Sequence, residues 1–87
     1  MSAIAGPFGI LSIGSDIVPV TPSDTVNLPQ PARVIRCRPD GAAGTLRITT
    51  FAGQVRNTYI AAGGELLIAT LRVHATGTTA TNLEAII

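Results

Sequence analysis

Between Gly64 and Ala75 the hydrophobic positions follow a two-residue rhythm. Leu67, Ala69, Leu71, Val73 and Ala75 fall on one side of an extended chain, and Leu66, Ile68, Thr70, Arg72 and His74 on the other. The first side is wholly apolar. The second begins apolar and turns polar and cationic. Such a strand needs partners on both faces for half its length, as in a sandwich core or a subunit contact. Leu67, Leu71 and Val73 are therefore candidates for a core or oligomer face. A Thr/Gly corner over residues 76–81 joins this strand to another that ends at Ile87.

The same rhythm runs through the rest of the chain. Residues 32–38 read as a strand with Val34, Arg36 and Arg38 on one side and Arg33, Ile35 and Cys37 on the other. Residues 45–50 alternate with Leu46 and Ile48 inward, and residues 54–60 form the next strand. Asp40-Gly41 is the sharpest hairpin signal. Residues 17–20 are extended, and residues 21–31 form a shaped loop closed by Pro29 and Pro31, with room for one helical turn where Thr21 and Asp24 mimic a capping box. Short strands at about ten-residue spacing, with eleven Thr and no helical stripe, predict an all-β fold. The expected architecture is a small antiparallel β-sandwich or barrel over residues 17–87. Residues 1–16 form an extended N-terminal arm or first strand, apolar enough to dock on a neighbouring subunit.

Composition sharpens this picture. In 87 residues, 46% are hydrophobic but only 3% aromatic, so the core is aliphatic. Charged residues make up 13%, about half of the ~25% usual in globular domains. So little charge leaves the apolar surface uncovered in a lone subunit, which predicts an obligate oligomer or a permanent docking partner. All six basic residues are Arg, the cation best suited to partly buried contacts. Arg33, Arg36 and Arg38 are candidate docking residues. Their alternative reading is a solvated or salt-bridged edge strand. A net charge of +1 with three aromatic residues points away from nucleic acid. No basic segment precedes Arg33, and glycine and proline interrupt the apolar N-terminus. A soluble chain without signal peptide or membrane span is expected.

Catalytic inventory is thin. His74 is the sole histidine and Cys37 the sole cysteine, and the five carboxylates are scattered without paired spacing. No catalytic, cofactor-binding or metal residue is assigned, and no cofactor is expected. His74 reads as a strand residue at a sheet end or contact, and Cys37 as a small buried hydrophobe.

Three stretches together carry a family resemblance: Thr21-Pro22-Ser23-Asp24 with Leu28-Pro29 and Pro31-Ala32-Arg33; Leu46-Arg47-Ile48-Thr49-Thr50 with Ala52-Gly53; and Arg72-Val73-His74-Ala75-Thr76-Gly77-Thr78-Thr79-Ala80-Thr81. In order and spacing they resemble the small head-spike base proteins of tailed phages and of alphaproteobacterial gene transfer agents. The run from Val73 to Thr81 is the most specific piece, and residues 36–44 are more cationic than the family pattern. The resemblance implies a non-enzymatic virion protein on the outer surface of an icosahedral head, made in the host cytoplasm. Its implied partners are further copies in a vertex ring (a pentamer, or a trimer), the major capsid protein and a head fibre, with no nucleic acid and no membrane. Two alternatives stay open: a cement or decoration protein bridging capsomers, and a module binding host-surface glycans.

Overall fold

The computed structural model describes residues 14–87. Most of the expected N-terminal arm or first strand therefore lies outside the described residues. Seven strands follow in chain order: β1 (Ile17–Pro19), β2 (Val34–Cys37), β3 (Gly44–Thr50), β4 (Val55–Ile60), β5 (Glu65–Leu66), β6 (Thr70–Val73) and β7 (Leu83–Ile86). They form two antiparallel sheets, one in the order β1-β7-β2-β5 and the other β4-β3-β6. Alternation supplies the inward faces, as expected of strands covered on one side. Ile35 and Cys37 from β2, Leu46 and Ile48 from β3, Val73 from β6, and Leu83 and Ala85 from β7 are buried together. Val18, Val20, Leu28, Leu66 and Ile87 pack against them. Among the described residues the sandwich core holds no aromatic side chain.

The connections differ from the expected pattern. Among the described residues only β3 and β4 form a hairpin between consecutive strands, closed by Gly53 at φ 86°. Asp40-Gly41 does turn, with the Gly41 amide donating to the Arg38 carbonyl at 2.9 Å, but β2 and β3 belong to different sheets. That turn is a crossover rather than a hairpin.

The continuous strand expected over residues 64–75 is also broken. β5 pairs with β2, whereas β6 pairs with β3 in the facing sheet. Within β6 the phase slips as well. Thr49 lies opposite Arg72 and Thr50 opposite Thr70, so Leu71 is an extra, bulged residue. A one-residue slip exchanges the faces of a strand. Thr70 and Val73 therefore both point inward, at 0% and 2% exposure. Thr70 remains satisfied in the core because its hydroxyl donates to the Ile68 carbonyl at 2.8 Å.

Loop 21–31 covers the outer edge of β6. The Ser23 amide donates to Val73 and the Leu28 amide to Leu71, at 2.9 and 2.8 Å, and Ala32 bridges Thr70. A covered edge cannot recruit stray strands. No helical turn forms in this loop.

Candidate interaction surfaces

The outward face of the four-stranded sheet carries two cross-strand rows. Ile17, Ile86 and Val34 lie side by side in one, and Pro19, Glu84, Arg36 and Glu65 in the next. Arg36 thus stands between two carboxylate strands. Its Nη1 lies 3.5 Å from Glu84 Oε1. Arg38 makes a forked pair with Asp40, at 3.1 and 3.2 Å, and reaches Glu84 Oε2 at 3.9 Å. Both side chains keep solvent access, 35% for Arg36 and 52% for Arg38. β2 is an interior strand, so its Arg36 does not guard an edge. Arg33 stands apart, before β2, at the end of the sandwich.

Leu67, Leu71 and Val73 occupy three different environments. Val73 is core, the bulged Leu71 is half-buried, and Leu67 is 73% exposed beside the exposed Ile68. Phe51 follows β3 in the hairpin turn and is 63% exposed. Its amide donates to the Ala69 carbonyl at 2.8 Å. Phe51 and Ala69 border a shallow cleft of about 390 Å³ where the strands of both sheets end, walled also by Pro31, Ala32, Arg33 and Ile87. Sequence patterning passed over Phe51. An aromatic residue next to an Ala-Gly turn was the available signal, because such a turn has no interior in which to hide the ring.

On the outward face of the other sheet, a hydroxyl, an imidazole and a carboxylate fall in line. Thr49 Oγ1 is 2.8 Å from His74 Nε2, and His74 Nδ1 is 3.9 Å from Asp24 Oδ1. The order resembles a nucleophile–base–acid relay, but the second gap is too long for a hydrogen bond. Asp24 instead spends both oxygens on Thr76, accepting from its amide at 2.9 Å and its hydroxyl at 2.7 Å. These bonds, the amide first, hold the Asp24 carboxyl below the usual carboxylate range, helped slightly by His74. Arg72 adds Nε to Asn27 Oδ1 at 2.9 Å and Nη1 to the Asp24 carbonyl at 3.1 Å. The cluster is a clamp that fixes loop 21–31 to the end of β6.

The Thr/Gly corner is a second fastening. Thr78 Oγ1 accepts from the Arg47 amide, Thr79 Oγ1 from Thr45, and Thr81 Oγ1 from Ala42, at 3.0, 2.9 and 2.8 Å. Side-chain oxygens thus take over where the β6 backbone leaves β3. Gly44 permits this approach: a Cβ there would strike Thr79 Oγ1 and sit 2.9 Å from the Ala80 nitrogen. Cys37 is fully buried, its sulfur 3.4 Å from the Thr81 carbonyl oxygen. Among the described residues no three His, Cys, Asp or Glu side chains converge as metal ligands.

No protein-family model matches the chain, and no curated protein matches it. Among solved structures it is similar to a chain of a particle described as the capsid of a native GTA (gene transfer agent) particle computed with C5 symmetry. The TM-score is 0.71 at 32% identity, over 83% of this chain and 81% of that one.

Proposed function

The chain belongs to the family of phage-like head proteins represented in that gene transfer agent capsid, and from this premise we propose that it is the base of a head spike. It is a virion structural protein. In the proposed role, several copies form a ring on the exterior of an icosahedral head. The ring docks on the major capsid protein and carries a spike or fibre. A pentamer at a vertex is favoured over a trimer. Residues 17–87 act as one β-sandwich domain and residues 1–16 as an arm toward a neighbour.

The observation that carries this reading is the match itself, at 32% identity over four-fifths of both chains. The surface supports it. Val26, Phe51, Tyr59 and Leu67 are each more than 60% exposed on a chain with only 13% charged residues. Apolar groups displayed on so little charge favour association. Arg33, Arg36 and Arg38 are the proposed capsid contacts. Arg36 and Arg38 present partly exposed forks beside an apolar row, the mixture found at the rims of protein interfaces.

Electron microscopy of intact particles tests the proposal. Density for this chain in a ring at the vertices, lost from particles made without it, is the expected result. Density between capsomers would identify cement instead. Purified particles without the chain would remove the head assignment altogether.

A further inference from the structure

Where the strands of the two sheets end, Ala32 and the inward-facing Ile87 form the floor of a cleft whose wall is the exposed Phe51 ring. Leu67 and Ile68, 73% and 44% exposed, lie in the same connector as the wall residue Ala69. We propose that this cleft receives residues 1–13 of a neighbouring copy. The inference rests on the oligomer reading above and names the contact that links one subunit to the next.

The chemistry of the two parts matches. Residues 1–13 contain Met1, Ile4, Phe8, Ile10, Leu11 and Ile13 and no charged side chain. Burying them against Phe51, Ala69 and Ile87 removes apolar surface from water on both partners, at about 25 cal/mol per Å². The point of departure matches too. The segment begins beside Ser15, which lines the cleft and donates its amide to the Ile87 carbonyl.

Direction decides whose cleft is filled. Gly14 already lies against the Ile86 side chain, and Ile86 faces outward while its neighbours Ala85 and Ile87 face the core. One residue beyond the rim, the chain has passed to the outer side of the sheet. Entering its own cleft requires it to double back around the sheet end, whereas an arm that keeps this direction leaves its own subunit. Thirteen residues span up to roughly 43–47 Å when fully extended, ample for such a reach. Each subunit then gives an arm on one side and receives one on the other. A head-to-tail contact of this kind closes into a ring when the rotation between successive copies is a whole fraction of a turn.

The test uses the full-length chain carrying Phe8→p-benzoylphenylalanine. Unlabelled and ¹⁵N-labelled chains are refolded together, irradiated and digested. Cross-links from position 8 to peptides containing Phe51 or Ala69, with labelled-to-unlabelled products in statistical proportion, are expected. Ala69 is solvent-exposed, so Ala69→Arg keeps the fold and lowers the cross-link yield about tenfold or more. Same-label products alone, cross-links mapping away from the cleft, or an unchanged yield in Ala69→Arg would overturn the inference. Sedimentation of the same sample separates the two readings. A monomer removes the oligomer itself, whereas an oligomer cross-linked elsewhere removes only the cleft.

Discussion

Asp24 and Thr76 lie 52 residues apart, yet one carboxylate takes both the amide and the hydroxyl of the same threonine. Bonds to the ionised form depress the Asp24 pKa, so the folded state binds this proton less readily than the unfolded chain. The stabilisation is complete above the ordinary aspartate value of about 3.9 and is lost as pH falls through the lower folded value. Asp24→Asn should therefore be less stable than wild type at neutral pH, with the gap closing below about pH 4. Urea midpoints across that range check this. A gap that widens in acid contradicts the clamp.

Gly44 gives a second, steric prediction. Its missing Cβ is the space into which Thr79 and Ala80 close against β3. Gly44→Ala should cost about 1–3 kcal/mol, the usual penalty for overpacking where backbone must move. Denaturant midpoints measure it, and a neutral result would mean that the corner shifts freely.

Leu67 separates subunit stability from assembly. At 73% exposure, Leu67→Ser should change unfolding free energy by no more than about 0.5 kcal/mol. The same change should lower the oligomer fraction in sedimentation velocity. An unaltered distribution would take Leu67 out of the interface.

Arg36 and Arg38 are salt-bridged within the subunit at partly exposed sites. Removing either should cost about 1 kcal/mol or less. Arg36→Ala with Arg38→Ala should leave a folded subunit and reduce its occupancy on particles, quantified by gel densitometry against the major capsid protein. Full occupancy would move the capsid contact elsewhere.

Local rhythm was readable in the sequence where a strand keeps its own phase. Leu46 and Ile48, or Ile35 and Cys37, alternate inward as a two-residue period demands. The 64–75 stretch has the same rhythm but two different partners, β2 for its start and β3 for its end. Periodicity records which residues share a face only while the backbone keeps phase. The bulge at Leu71 is imposed by pairing with β3, which no window around Leu71 contains. Asp40-Gly41 likewise encodes a turn but not which sheet the chain enters afterward.

The surface sites divide in the same way. Arg36 and Arg38 were visible as neighbours on one strand face, but Glu84 of β7, which both reach, was not. Asp24 resembled a local cap for its own loop because Asx chemistry favours nearby amides. Its partner is remote, and only the fold brings loop 21–31 to the end of β6. The threonines of residues 76–81 were recognisable as a corner, whereas their role as acceptors for β3 amides depends on three-dimensional proximity.

The place of β7 between β1 and β2 bears on how the polypeptide matures. Both flanking strands precede it in the chain, so during synthesis they wait without their pairing partner until residues 83–86 have left the ribosome. The β3–β4 hairpin can form early, but the four-stranded sheet depends on its final strand to join. Pairing across such sequence distances is slow, because a large loop must close before any contact rewards it. A nascent chain halted before Leu83 lacks the template for that sheet and cannot compete with finished subunits for places in an assembly.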